Sequence, residues 1–437
     1  MQDAPAAGPH VVRWANARAV LDVLRRAESA LTVSELIEHT GLTRATVIAV
    51  GEDLVRRGWA AEPPLPRGAG PQKGRPARRF AFRADAGIVL GIDLGAAKTT
   101  VLVADLLGTP LASASSPMPG AVSARGDDPA SDAVPPPAPA EDGADGGGTA
   151  NGTAAGGTAG SHEQRIATVA ETALTALARA GRSPADVLAA GAGLAAPVDR
   201  AGRVVGGQAF WRQFDLGLAE AFAQRFGWQV LLENDANLAV LAERWRGAAQ
   251  GVEDVAVLLA GERVGAGVLE SGRLLRGHGG GFGELAFLTM VDGVGRPAGI
   301  AQLAREWGAD AVAAGRLAPS DGAGTQAVFS AAAAGDQTAQ EILERIAAAM
   351  ARIIAILSTL VNPELVVVGG AVASAARRLL PSIRAHLDGL TVTPARVEVS
   401  PLGADAVTLG AVRRALDDVA ARALEITLKE RGDPLPQ

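Results

Sequence analysis

The chain has 437 residues, of which 48% are hydrophobic and 20% charged, and its formal net charge is -6. This length excludes a small single-domain protein and predicts more than one domain with a large buried core. The lack of cysteine excludes disulfides and thiolate metal sites, and no segment has the pattern of a signal peptide or a membrane span, so we expect a cytoplasmic protein with no membrane partner.

The charges are unevenly distributed along the chain. Residues 1–84 contain 13 Lys and Arg against 8 Asp and Glu, whereas the rest of the chain has an excess of acidic residues. A basic first segment on an acidic body is typical of a nucleic-acid-binding module. A solvated surface could show the same balance, so charge alone leaves both interpretations open.

The first segment has the pattern of a helix-turn-helix. Apolar residues recur at helical spacing over residues 14–26. Thr32 and Glu35 form a capping box at the start of a second helix, and Gly41 is placed to end it. A third helix is predicted for residues 43–55, and two helices joined by a short turn of this kind form a helix-turn-helix.

A winged helix is predicted because two strands and a basic loop follow the third helix. The strands are expected at residues 58–61 and 78–82, around a loop rich in Pro and Gly at residues 63–74. Such a module places its third helix in the major groove and its cations on phosphates. We therefore predict a DNA-binding domain over residues 1–84, with a small helical dimerisation module as the alternative. The predicted DNA contacts are Thr43, Arg44, Thr46 and Ile48 on the helix and Lys73, Arg75, Arg78 and Arg79 on the wing.

An apolar hairpin opens the body of the protein around the turn Asp93-Leu94-Gly95-Ala96-Ala97-Lys98. We expect Gly91 and Gly95 to adopt backbone angles that a Cβ atom would forbid. Asp93 and Lys98 are expected at the rim of a sheet.

Helices and strands alternate beyond this hairpin, which predicts an α/β body in two lobes. Residues 117–161 interrupt the pattern, and because they contain almost no large apolar residue we predict a disordered insertion. We place the first lobe at residues 85–232 and the second at residues 233–405. A C-terminal helix at about 406–428 is expected to pack back on the first lobe.

Ligand-type turns follow several predicted strands. One strand ends in Glu233-Asn234-Asp235-Ala236-Asn237, and open α/β sheets bind ligands at such strand ends. Simple helix capping by the asparagine or aspartate of this motif is the alternative. Two glycine-rich turns follow, at residues 261–267 and 277–283, and the second leads to Glu284. A buried strand then ends in Gly369-Gly370.

In their order and spacing these motifs resemble those of ROK-family transcriptional regulators, which fuse a winged helix-turn-helix to a body shaped like a sugar kinase. The resemblance implies a two-lobed actin/hexokinase-like (ribonuclease-H-like) α/β body behind the winged-helix module, with a cleft between the lobes, and a homodimer or homotetramer. It also implies that Asp235 matches the general base of the family kinases and that Asn234 and Glu284 match sugar contacts. Gln208 stands near the place of another sugar-contacting amide.

The chain departs from the family kinases at the turns that hold ATP phosphates. Ala97 replaces Thr in the first turn, and Glu262 and Arg263 replace Thr and Gly in the second. Phosphoryl transfer depends on donors positioned around the phosphates and the metal, so we predict no kinase activity and no cofactor. The residues of this degenerate phosphate site are Asp93, Gly95, Lys98, Gly261 and Gly265.

The zinc ligands of the family are also missing, because Phe287 stands where the family has His and the chain has no cysteine. We expect no structural metal. The missing His contacts the sugar in the family, so Phe287 makes the predicted pocket less polar.

Together these features predict a regulator that is not an enzyme, and the resemblance implies a repressor of carbohydrate-related genes. Its expected partners are operator DNA and a sugar or sugar derivative bound between the lobes. Two alternatives stay open: an ATP-dependent sugar kinase with an appended DNA-binding domain, and a ligand-blind regulator with a relic pocket.

Overall fold

The computed structural model describes residues 9–64, 77–120, 155–205, 211, 213–285, 288, 298–319 and 324–428. Lys73, Arg75, Gln208, Phe287 and most of the predicted insertion lie outside these residues. Among the helices that are described, none is long and apolar enough to cross a membrane.

The N-terminal module consists of three helices and a small antiparallel sheet. The helices are α1 Pro9–Arg26, α2 Val33–Thr40 and α3 Arg44–Arg56, and the strands are β1 Leu31–Thr32, β2 Ala60–Ala61 and β3 Arg79–Phe82. The strand order is β1-β3-β2. This arrangement is a winged helix, as the sequence predicted.

Local sequence sets the ends of α2 and α3. Thr32 Oγ1 accepts a hydrogen bond from the Glu35 amide at 3.2 Å, and Glu35 Oε2 accepts from the Thr32 amide at 2.6 Å, which confirms the capping box. Gly41 ends α2 with a φ of 68°. Thr43 caps α3 by accepting from the Thr46 amide at 3.3 Å.

Gly51 lies inside α3 because the wing packs directly on it. A Cβ atom at Gly51 would lie 2.5 Å from the ring of Phe80, a fully buried residue of β3. Glycine costs a helix interior about 1 kcal/mol relative to alanine. The close packing of the wing on α3 explains why the module carries glycine here.

The body contains two five-stranded sheets of the same topology. The first has the order β6-β5-β4-β7-β8 and the second β11-β10-β9-β12-β13. In each, three antiparallel strands are extended by two parallel ones. The strands are β4 Ile88–Leu94, β5 Lys98–Asp105, β6 Pro110–Pro117, β7 Val187–Leu194, β8 Val230–Asn234, β9 Val255–Leu259, β10 Gly265–Glu270, β11 Arg273–Leu274, β12 Leu365–Gly369 and β13 Arg396–Val399.

Helices cover both sheets and join the two lobes. On the first sheet pack α4 Ala155–Arg179 and α5 Leu218–Phe226, and around the second sheet lie α7 Ile300–Ala313, α8 Thr325–Ala333, α9 Gln337–Leu360 and α10 Ala373–Leu387. The remaining two helices, α6 Asp235–Arg246 and α11 Ala406–Arg422, pack against each other. Because α6 contacts the second sheet and α11 the first, this pair joins the lobes.

Glycines allow α11 to approach its neighbours closely. A Cβ atom at Gly91 of β4 would lie 2.2 Å from the Thr408 carbonyl oxygen, and one at Gly410 would lie 1.9 Å from the Leu238 carbonyl oxygen. The prediction that Gly91 and Gly95 adopt a backbone forbidden to other residues is wrong, because neither has a positive φ. What excludes a side chain at Gly91 is the backbone of α11.

The C-terminal helix ends at Arg422 and not near residue 428 as expected. The following residues, 423–428, form a tail that lies on the winged-helix module. Arg57 Nη1 donates to the Leu424 carbonyl at 2.7 Å, and Trp59 Nε1 donates to the Ile426 carbonyl at 3.1 Å. We refer to residues 423–428 as the C-terminal tail.

One hydrophobic cluster runs through the winged-helix module, the first sheet and α11. It contains Leu21 and Trp59 of the module, Leu106 after β5, and Leu416 of α11. Leu428 of the C-terminal tail belongs to the same cluster and is 5% exposed. The module therefore packs on the first lobe through a continuous core.

Candidate functional site

Four polar side chains named from the sequence converge at the ends of strands. Asp93 lies in β4, Asn234 ends β8 and Asp235 begins α6. Asn234 Nδ2 lies 3.2 Å from the Ala196 carbonyl oxygen and 3.5 Å from Glu284 Oε1. Asp235 interacts electrostatically with both Asp93 and Glu284. The first and second lobes thus contribute to one cluster of polar groups.

Asn234 both caps a helix and belongs to the polar cluster. Its Oδ1 accepts a hydrogen bond from the Asn237 amide at 3.1 Å, so Asn234 caps α6. Its Nδ2 is turned toward Glu284. Helix capping and a ligand-type position are therefore compatible at this motif, because Oδ1 of Asn234 caps α6 while Nδ2 faces Glu284.

The pKa values of the carboxyl groups in the cluster lie close to neutral pH. Burial, and then the charges of Asp93 and Glu284, raise the pKa of Asp235 to about 7. Burial raises the pKa of Glu284 to about 7 and that of Asp93 to about 6, although Arg263 and Lys98 oppose these shifts. The cluster therefore changes charge within the physiological pH range.

The effector-free protein is expected to lose stability as the pH rises from 5 to 8. Each carboxyl group has a folded-state pKa above its unfolded value, so its stabilisation is complete below about pH 4 and is lost as the pH passes about 6 and 7. Thermal unfolding of the wild type and of Asp235→Asn measures this. The midpoint of the variant should fall less steeply, and equal slopes would contradict the electrostatic description.

The second phosphate-type turn carries an ion pair. Glu262 accepts two hydrogen bonds from Arg305 of α7, at 2.9 and 2.6 Å. The first turn of α7 is joined to this turn, because the Ala301 amide donates to the Gly261 carbonyl at 3.1 Å. Gly265 begins β10 after this turn. Glu262 and Arg263, the replacements predicted to disrupt phosphate binding, are both exposed.

The first phosphate-type turn joins β4 to β5. Lys98 is exposed and its charge acts on Asp93, whereas a Cβ atom at Gly95 would lie 2.8 Å from the Lys98 carbonyl oxygen. Among the residues that the structure describes, no group of three or more His, Asp and Glu is arranged to hold a metal ion. The expected lack of a metal stays a prediction.

Sequence reasoning missed a buried ion pair beside the cluster. Glu233, 3% exposed, accepts from Arg276 Nε at 2.9 Å and from Arg276 Nη2 at 2.6 Å. Its other oxygen accepts from Asn237 Nδ2 at 2.9 Å. The signal available in the sequence was a carboxylate at the end of an apolar strand, where burial demands a charged partner.

The predicted DNA-contacting residues of α3 lie at its start. Thr43 and Arg44 are exposed, and Thr46 is half-buried with its hydroxyl 2.9 Å from that of Thr43. Ile48 is half-buried and packs against the core of the module, so only part of it is available to a base. Arg44 is the exposed cation of this turn.

The two wing arginines that the structure describes contact the protein. Arg78 donates two hydrogen bonds to Glu62 at 2.8 Å and one to Glu52 at 2.5 Å. Arg79 Nη2 donates to the Ala30 carbonyl at 3.1 Å. In this conformation Arg78 links the wing to α3, and Arg79 links it to the segment between α1 and β1. A phosphate contact by Arg78 would require exchange of its carboxylate partners.

Comparison with protein families gives two matches. The model of the ROK family matches residues 143–417, and that of the IclR helix-turn-helix domain matches residues 15–64. A glucokinase of Halalkalibacterium halodurans is 30% identical over 222 residues, which are 46% of this chain and 67% of the relative. The DNA-binding transcriptional dual regulator NagC of Escherichia coli is 27% identical over 189 residues, which are 39% of this chain and 45% of that protein.

Solved structures share the fold. A ROK family transcriptional regulator, described as a homolog of the Escherichia coli MLC protein, has a TM-score of 0.66 at 18% identity and covers 95% of this chain and 99% of its own. A ROK hexokinase from Thermus thermophilus has a TM-score of 0.53 at 29% identity and covers 76% of this chain and 99% of its own. The two-lobed body thus has the sugar-kinase-like actin/hexokinase fold, preceded by a helix-turn-helix module.

Proposed function

The chain belongs to the ROK family and carries an N-terminal helix-turn-helix DNA-binding domain, and on this premise we propose that it is a sugar-responsive transcriptional repressor without kinase activity. The effector is a sugar or sugar derivative bound between the two lobes. Because β8 of the first sheet runs to Asn234, we move the boundary between the lobes from residue 232 to residue 234. The observation that carries the proposal is a contrast within the cleft. The polar cluster of Asn234, Asp235 and Glu284 is intact, whereas the turn 261–265 carries an exposed carboxylate, that of Glu262, paired with Arg305.

The same contrast supports the lack of kinase activity. A transferred phosphoryl group needs donors around its oxygens, and Glu262 with its partner Arg305 places a carboxylate at this turn instead. Related kinases keep the alternative open. An ATP-turnover assay over common sugars decides it, because sugar-dependent ADP release above background would establish a kinase.

Operator DNA is the proposed macromolecular partner, read by the exposed first turn of α3 at Thr43 and Arg44, with Thr46 and Ile48 behind them. Lys73 and Arg75 on the wing are proposed to contact the backbone. A homodimer would present two such helices to half-sites one or two helical turns apart. The sugar must bind the two conformations of the protein with different affinity in order to change this spacing.

Replacing Arg44 by alanine is expected to weaken operator binding about tenfold. A guanidinium that meets a base edge or a phosphate contributes about 1–3 kcal/mol. Fluorescence anisotropy with operator DNA at fixed salt measures the change. Arg225→Ala, which removes an exposed arginine of α5 in the first lobe, is the matched control. Equal affinities of the two variants would remove α3 from the interface.

The proposed function is tested by anisotropy on the DNA upstream of the protein's own coding region, in the presence of a panel of monosaccharides, phosphosugars and oligosaccharides. Specific binding that one sugar changes would establish both partners. Specific binding that no sugar changes would favour a ligand-blind regulator with a relic pocket. Lack of specific binding to this DNA would contradict the proposal.

A further inference from the structure

The segment that carries Glu284 crosses from the second lobe to the first. It runs from Arg276, which follows β11, to Glu284, and we call residues 276–284 the bridging loop. In its middle, Gly280 has a φ of 76°, and a Cβ atom there would lie 2.2 Å from the Val198 carbonyl oxygen of the first lobe. The bridging loop thus lies against the backbone of the other lobe.

The start of the bridging loop is anchored by the ion pair between Arg276 and Glu233. Arg276 belongs to the second lobe, and Glu233 lies in β8 of the first. Both Nε and Nη2 of the arginine donate to one oxygen of the carboxylate, whose other oxygen accepts from Asn237 and from the Asn234 amide at 3.2 Å. Since both oxygens of this buried carboxylate have partners, release of the arginine would leave a charge largely out of water.

The pair also connects the two segments that carry the polar cluster. Glu233 directly precedes Asn234 and Asp235, and Arg276 begins the loop that ends in Glu284. The loop is closed on itself, because the Phe282 amide donates to the Arg276 carbonyl at 3.2 Å. A shift of Arg276 would therefore move the loop and change the distance between Glu284 and Asn234.

We propose that Glu233 and Arg276 are a positioning pair for the effector site. By fixing the bridging loop on the first lobe, they hold Glu284 within reach of Asn234, so that the carboxylate and the amide can bind hydroxyl groups of one effector. The pair acts through Glu284. This inference rests on the proposed function of the cleft. It differs from a purely structural role in its consequence, since a structural pair would affect stability and leave effector affinity unchanged.

The test compares Arg276→Gln, Arg276→Lys and the double variant Glu233→Gln/Arg276→Gln with the wild type. Hydrogen exchange of the amides of residues 277–285 reports the loop, and calorimetry with the sugar that gives the largest response in the anisotropy panel reports affinity. The double variant leaves no unpaired buried charge, so it keeps the test decisive if Arg276→Gln does not fold. Ile346→Val, a conservative change in the fully buried core of the second lobe, controls for a general loss of stability.

Arg276→Gln and the double variant are expected to exchange these amides at least tenfold faster and to bind the sugar at least tenfold more weakly. Arg276→Lys, which keeps the charge, should recover part of both effects, and Ile346→Val should show neither. Wild-type exchange or wild-type affinity in both glutamine variants would overturn the inference. Failure of the wild type to bind any sugar would overturn the proposed function and the effector role of the pair together, whereas unchanged exchange overturns the inference alone.

Discussion

Replacing Asp235 by alanine is expected to weaken effector binding about 100-fold while leaving operator binding in the absence of effector unchanged. Asp235 begins α6 and interacts electrostatically with Asp93 and Glu284. A hydrogen bond to a charged group contributes about 1.5–3 kcal/mol, and two such bonds to sugar hydroxyls correspond to about 3 kcal/mol or two orders of magnitude in affinity. Calorimetry measures the affinity and anisotropy measures operator binding.

The same variant separates a working pocket from a relic. Asp235 is subject to repulsion from Asp93 and Glu284, and its side chain accepts a hydrogen bond from the Ala236 amide at 2.8 Å. Removing the carboxylate therefore should not lower the thermal midpoint of the effector-free protein at pH 8. Asp388→Ala, an exposed aspartate after α10, is the control for loss of one charge. A strongly destabilised Asp235→Ala protein that still responds to sugar would assign Asp235 a structural role.

Features that depend on neighbouring residues could be predicted from the sequence. The capping box of Thr32 and Glu35, the end of α2 at Gly41 and the cap at Thr43 all lie within a few residues of their partners. The strands around the turn 93–98 likewise follow from two apolar runs on either side of a short polar turn. In each case the residues that decide the structure are adjacent in sequence.

Features that depend on distant partners could not be predicted. Arg78 belongs to a basic segment, which predicts a DNA contact, but its partners Glu52 and Glu62 come from α3 and from the region after β2. The reason for glycine at position 91 is a carbonyl oxygen of α11. Spacing in the sequence carries no information about such contacts, since they arise only when remote elements pack.

The candidate site shows the same division. The motif that contains Asn234 and Asp235 lies at a strand end, where ligand-type groups are expected from sequence. That Glu284 Oε1 lies 3.5 Å from Asn234 Nδ2 arises only when the bridging loop packs beside the end of β8, where Arg276 also pairs with Glu233. The position of this motif at a strand end could therefore be predicted, but its contacts with remote residues could not.

Removal of residues 424–437 is expected to loosen the winged-helix module and to weaken operator binding at least tenfold. The truncation removes the carbonyl acceptors of Arg57 and Trp59, and it removes Leu428, whose amide donates to the Arg57 carbonyl at 2.9 Å. Deletion of a buried leucine side chain costs about 3 kcal/mol. Trp59 Nε1 would also lose its partner in a site that is 2% exposed.

A shorter truncation, of residues 429–437, is the matched control because it keeps the C-terminal tail to Leu428. Hydrogen exchange in α1 and in residues 57–61 should be faster only in the longer truncation. Effector affinity should be equal in both, since the polar cluster around Asp235 lies on other elements. Two modules held in a fixed geometry bind two half-sites more tightly than loosely tethered ones. Equal operator binding by the two truncations would mean that the C-terminal tail does not hold the module for DNA.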